Sequence, residues 1–159
     1  MQICKNCQNP AFEGSHLSSF SSYPGPQEYE IQTEIIYAVP NTGIKKLMNS
    51  KKCKGNVVLF NRGDISLVDK VLLAQKAGAL GAIIIDTDGQ CTDESFTSCG
   101  RAGKLSDGGY AKYDGADHWA RVEIPSFIVT RLGGQRILNL MHLEVVVIPN
   151  LGQQWMNTD

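Results

Sequence analysis

Long apolar runs are missing from this chain. None approaches the ~20 residues of a membrane-spanning helix, so no bilayer insertion by this chain is expected. Charge of one sign is missing too: 15 Lys and Arg against 16 Asp and Glu leave a net charge of -1. No global field therefore draws the molecule to nucleic acid or an anionic membrane. Histidine is scarce, and His16, His118 and His142 lie in dissimilar contexts. Neither G-x-S-x-G nor H-E-x-x-H occurs, which removes two common hydrolase signatures, and no catalytic residue is assigned. There is no N-x-S/T sequon, and Met1 to Lys5 lack the basic start and apolar core of a secretory signal. If the protein works in an oxidising compartment, its targeting segment lies outside this sequence.

The apolar fraction of 42% is ordinary for a packed body, and 159 residues suit one domain with a sizeable core. Five cysteines leave at least one unpaired within the chain. Cys91 and Cys99 bracket a short loop and are the expected bridge, with reduced thiols as the alternative; a bridge fits a luminal or extracellular setting. Cys4-x-x-Cys7 has neither the strand–helix context of a redox motif nor a second close pair for zinc.

The chain is organised around Lys54 to Thr87. Val57 to Phe60 reads as a buried strand, followed by the tight turn Asn61-Arg62-Gly63-Asp64. Leu67, Val68, Val71, Leu72, Ala74 and Ala77 then recur at helical spacing. Ser66 is the expected cap, with Asp69 three places on, and Gly78 stands where a left-handed residue closes a helix. Ala82 to Ile85 is a second strand ending at Asp86. Strand, helix and strand at this length predict a crossover between parallel strands.

Elsewhere, residues 1–27 are rich in Ser, Gly and Pro and read as a poorly ordered arm. Residues 28–150 form the domain, and 151–159 a polar tail. Tyr29 to Val39 alternates as a half-buried strand, and Ile44 to Met48 reads as a helical turn or two. Lys45, Lys46, Lys51, Lys52 and Lys54 form a basic stretch without the aromatic interleaving of a nucleic-acid site, so it reads as a solvated loop. The stretch from Thr87 to Glu123 is long for a connection, as functional loops often are. After it come a strand to Val129, a helix from Leu132 to Leu140 capped by Thr130 with Ile137, Leu138 and Leu140 inward, and a last strand from Leu143 to Ile148.

Asn61-Arg62-Gly63-Asp64 is neither G-x-G-x-x-G nor a Walker loop, and Asp64 at the helix start repels phosphate. Arg62-Gly63-Asp64 spells an adhesion tripeptide, but it joins a core strand to a helix instead of lying in an exposed loop. Asp86, Asp88, Asp93 and Glu94 gather carboxylates of the kind calcium prefers, but Gly89 is misplaced for an EF-hand; a solvated acidic loop is the expected reading and calcium the alternative. No cofactor is expected.

The order and spacing of Gly55-x-Val57-Val58-Leu59-x-x-Arg62-Gly63, Lys70, Ala74, Ala77-Gly78-Ala79-x-Gly81-Ala82-Ile83-Ile84 and Ile124-Pro125-Ser126-Phe127-Ile128 resemble the protease-associated (PA) domain signature over roughly residues 29–148. Where many members of that family carry cysteine after the R-G pair, this chain has Asp64. The resemblance implies an α/β fold with a curved mixed sheet, an open barrel or sandwich, and a non-catalytic module that selects protein partners or substrates, with a part of a hydrolase's active-site lid or a calcium-binding module as the alternatives. It implies a host such as a peptidase, a RING ubiquitin ligase, a sorting receptor or a mannosidase-like protein, in the secretory pathway or outside the cell. The expected partner is a protein or peptide. The expected partner-binding residues are Arg62 at a strand end, with Phe96, Arg101, Tyr110, Tyr113, His118, Trp119 and Arg121 on the long connection. Aromatic and arginine side chains are the usual anchors of recognition surfaces.

Overall fold

The computed structural model describes residues 2–3, 15–16, 19–21, 26, 31–87, 115–141 and 145–147. In chain order the strands are β1 (Gln2–Ile3), β2 (Ser15–His16), β3 (Ser19–Ser21), β4 (Ile31–Thr33), β5 (Ile35–Tyr37), β6 (Val57–Asn61), β7 (Gly81–Ile85), β8 (Ser126–Val129) and β9 (Val145–Val147). The helices are α1 (Ser50–Cys53), α2 (Leu67–Lys76), α3 (Gly115–Ala120) and α4 (Arg131–Leu140).

The main sheet runs in the order β3-β8-β7-β6-β5. Strands β5 to β8 are parallel neighbours, and β3 is antiparallel at one edge. The sheet therefore stays open, with β3 and β5 as its edges. Val57 pairs with Gly81 and Asn61 with Ile85, while Ile85 pairs in turn with Val129. This is the mixed α/β architecture and the strand–helix–strand unit expected from the sequence.

Both faces of the sheet are covered, which explains the unbroken apolar runs in its central strands. Side chains alternate between the faces. Val57, Leu59, Ile83, Ile85, Phe127 and Val129 pack with Ile31, Ile35 and Ile137 on the α4 side. Val58, Phe60, Ala82 and Ile84 pack with Leu47, Cys53, Leu67, Val68, Val71, Ala74, Trp119 and Val122 on the α2 side. Removing each such Val, Leu or Ile from water stabilises the fold by about 1.5–3 kcal/mol.

Helix α2 begins and ends as its sequence predicts. Ser66 Oγ accepts from the Asp69 amide at 3.3 Å and donates to Asp69 Oδ2 at 2.7 Å. Gly78 takes φ +79° past the last turn, a conformation that disfavours a side chain. In α4, Thr130 Oγ1 accepts from the Gly133 amide at 3.1 Å. Gly134 lies so close to β7 that a Cβ there would come within 2.3 Å of Ile85 Cγ2.

Several expectations need correction. The strand read as continuous from Tyr29 to Val39 breaks at Glu34: β4 pairs with β9, β5 with β6. Ser19–Ser21, within the stretch read as a poorly ordered arm, adds to β8 through backbone pairing, which needs no apolar side chains. The short helix is Ser50–Cys53 and not Ile44 to Met48, because only Leu47 of that run is buried. Leu138 is exposed on α4 while Ile137 is buried, since 100° of helical rotation carries its neighbour off the apolar face.

Candidate functional site

Open α/β sheets bind ligands beyond the carboxyl ends of their strands, so the ends of β6 and β7 come first. The register that sets Asn61 beside Ile85 makes Arg62 and Asp86 neighbours. Their backbones continue the ladder: the Arg62 amide donates to Ile85 O and the Asp86 amide to Val129 O, both at 2.9 Å. Arg62 Nη1 donates to Asp86 Oδ1 at 3.2 Å, with both side chains fully buried. Each charge removes the desolvation penalty the other would otherwise carry alone. Thr87 Oγ1 donates to Arg62 O at 3.4 Å.

Lys70 completes this polar cluster. Its position in α2, three after Leu67 and four before Ala74, places it on the apolar face, and it is fully buried. Its ammonium donates to Gly63 O at 2.7 Å and to Thr42 O, joining the turn after β6 to the one after β5. Burial pushes its pKa down from 10.5 to about 8, against the opposing pull of Asp64, with the Arg62 charge adding to the depression. Asp64 itself adopts φ +64°, so its role is to close a turn in the left-handed region that Asp tolerates.

The far end of the long connection is pinned to α2. Gln75 Nε2 donates to Arg121 O at 2.9 Å while its Oε1 accepts from the Glu123 amide at 2.8 Å. His118 Nδ1 lies 3.4 Å from Asp69 Oδ1, tying α3 to the start of α2.

Two predicted contact residues are displaced from the surface by this geometry. Arg62 is enclosed with its counter-ion, and Trp119 is 4% exposed, packed in the α2-side core. A side chain removed from solvent offers no contact to a partner, so both are scaffold residues. Asp86, the first of the alternative calcium candidates, is paired with Arg62. His118 is half-buried and Arg121 exposed, so these two remain accessible. Phe96, Arg101, Tyr110 and Tyr113, the acidic residues Asp88, Asp93 and Glu94, and the Cys91–Cys99 pair lie outside the described residues. Cys53 is a buried free thiol, raised in pKa by desolvation. Among the described residues, no three His, Cys, Asp or Glu side chains stand together as a metal site, and no helix is long and apolar enough to cross a membrane.

The sequence pattern contains Lys70 without giving it a role, and it gives Arg62 a partner-binding role that burial overturns. The signal for Lys70 was available: a lysine on the apolar stripe of a helix must find acceptors inside the protein. Gln75 carried no comparable signal, because its acceptor and donor come from the far end of the long connection.

An open mixed sheet with a β6–α2–β7 crossover and an internal ion pair at its strand ends defines an α/β domain. The model of the PA domain matches residues 31–137, and the chain belongs to that family. Over 50 residues it is 48% identical to C5a peptidase of Streptococcus pyogenes, a match spanning 31% of this chain and 4% of that protein. The zinc aminopeptidase BSAP of Bacillus subtilis superposes with a TM-score of 0.50 at 13% identity, over 92% of this chain and 29% of the other. An aminopeptidase from Aneurinibacillus sp. strain AM-1 gives 0.47 at 18% identity, over 91% and 28%. The chain thus spans a small part of these peptidases' length.

Proposed function

We propose that this PA domain is a partner- or substrate-recognition module of a peptidase-type protein and performs no hydrolysis itself. The observation that carries this reading is the use of the strand-end polar groups as structural ties. Arg62 and Asp86 neutralise each other, Lys70 serves two carbonyls, Ser66 caps α2, and Asp69 accepts from Ser66 with His118 Nδ1 3.4 Å from its other oxygen. The one hydroxyl among them, Ser66, donates to the Asp69 carboxylate but is itself buried and occupied in capping α2. The long connection from Thr87 to Glu123 is then the recognition element, held between β7 and the Gln75 clamp. Phe96, Arg101, Tyr110, Tyr113, His118 and Arg121 supply its aromatic and cationic contacts. The same reading sets the protein in the secretory lumen or outside the cell, where a Cys91–Cys99 bridge can form.

The test pans the purified chain against a random peptide phage library and assays it with casein and leucine p-nitroanilide. Enrichment on the unaltered chain, lost in the Arg101→Ala/Tyr113→Ala variant at unchanged melting temperature, is the expected result. Turnover of either substrate overturns the non-catalytic reading. Equal enrichment on both chains removes the long connection as the recognition element.

A further inference from the structure

A second surface stands apart from the strand-end cluster. Between α2 and the segment leading into β6 runs a groove of about 610 Å³, lined by Lys46, Leu47, Ser50, Lys51, Lys54, Leu73, Lys76 and Ala77. It lies toward the opposite end of the sheet, because the close of α2 meets the start of β6: the Gly55 amide donates to Gly78 O and Leu80 to Asn56 O. Four of its lining side chains are lysines, all exposed, and they come from three parts of the chain: the approach to α1, α1 with its C-cap, and the last turn of α2. Among the described residues, no carboxylate lines it. From Ile35 to Gly63 the sequence contains no Asp or Glu at all, while Lys45, Lys46, Lys51, Lys52 and Lys54 all fall in that span. In a chain of net charge -1 this is a marked local asymmetry.

The floor is apolar. Leu47 is buried, and Leu73 and Ala77 are partly so. In the same stretch of sequence as Lys46 and Leu47, Ile44 and Met48 are 53% and 82% exposed. A lysine rim over an apolar floor fits an extended chain with carboxylates on its edges and an aliphatic side chain between them. The lysine stems add apolar contact while their ammonium groups stay in water. Duplex nucleic acid would leave the floor unused, and a flat bilayer would not enter the groove.

We infer that this groove is a docking site for an acidic peptide segment of a partner protein, one that alternates Glu or Asp with Leu-like residues. The inference is independent of whether the long connection recognises ligands.

The experiment uses the full chain and a fluorescein-labelled glutamate-rich peptide carrying two leucines, read by anisotropy. Binding is expected and should weaken as salt is raised, since the charges are exposed. Lys51→Glu with Lys76→Glu, two groove lysines on different helices, should weaken it roughly tenfold or more. Lys45→Glu with Lys52→Glu makes the same charge change at exposed positions outside the groove and should cost no more than about threefold. Replacing the peptide's leucines with serine should also weaken binding. Equal losses for the two lysine pairs, indifference to the leucines, or no binding overturns the proposal. Tighter binding to a duplex oligonucleotide or to phosphatidylserine vesicles with the same lysine dependence also overturns it.

Discussion

Gly134→Ala sets two well-measured effects against each other, and the structure decides which prevails. Helix propensity alone favours alanine over an interior helical glycine by about 1 kcal/mol. The new methyl, however, would lie 2.3 Å from Ile85 Cγ2, 2.8 Å from Cγ1 and 2.9 Å from Cδ1. Ordinary carbon contacts lie at about 3.5–4.0 Å. Ile85 is buried and β-branched, so neither displacement nor a rotamer change comes cheaply. It also precedes Asp86, so shifting it disturbs the ion pair with Arg62. Overpacking of this kind costs about 1–3 kcal/mol. With a shortfall above one ångström at a stiff neighbour, we expect the upper part of that range and a net loss of roughly 1–2 kcal/mol. Urea unfolding followed by tryptophan fluorescence measures it. The decisive arm is Ile85→Ala, which deletes all three clashing atoms. It costs about 2–5 kcal/mol by itself, but in that background Gly134→Ala should stabilise by about 1 kcal/mol. The same sign of effect in both backgrounds would refute the close-approach argument.

Other expectations follow from the interior polar groups. Arg62→Met or Asp86→Leu alone should cost about 3–5 kcal/mol by stranding a buried charge, and the double variant should recover most of it; additive losses in a denaturation cycle would show that the pair acts as two independent residues. Trp119→Ala should lose about 3–5 kcal/mol, and a variant with unchanged melting would return Trp119 to the surface. For Lys70 the folded pKa is lowered, to about 8 from 10.5. The unfolded chain therefore binds more protons between those values, and stability rises with pH across that window. Relative to Lys70→Met, the unaltered chain should gain on the order of 2–3 kcal/mol from pH 8 to 10.5 and be flat below. A difference that falls over this window in pH-dependent unfolding would contradict the desolvation account.

The β6–α2–β7 unit was legible because local signals agreed with one another. Its apolar runs, the Ser66 cap, the helical spacing and Gly78 each act within a few residues. The Thr130 cap and the β8 strand were legible on the same grounds. What escaped depends on register or on distant chain. Arg62 meets Asp86 only once Asn61 is known to pair with Ile85. Trp119 looked like a loop aromatic because nothing near it in sequence shows that α3 tucks beneath α2. The break at Glu34 was hidden because Ile31 and Ile35 keep one alternation through a change of sheet. Lys46, Lys51 and Lys54 are exposed, as a solvated run predicts, and what the sequence leaves out is that Lys76 of α2 faces them across a groove.

The Gln75 amide has a consequence for how this fold tolerates change. By donating to Arg121 O and accepting from the Glu123 amide, it acts as a short surrogate strand edge, fixing where the long connection returns. Its departure is fixed as well, by the Asp86 backbone bond to β8. With both ends anchored, doubling the length of the intervening chain adds only about 0.6 kcal/mol of closure entropy. An insert of another length placed between the two anchors is therefore expected to leave the register of the sheet beneath unchanged.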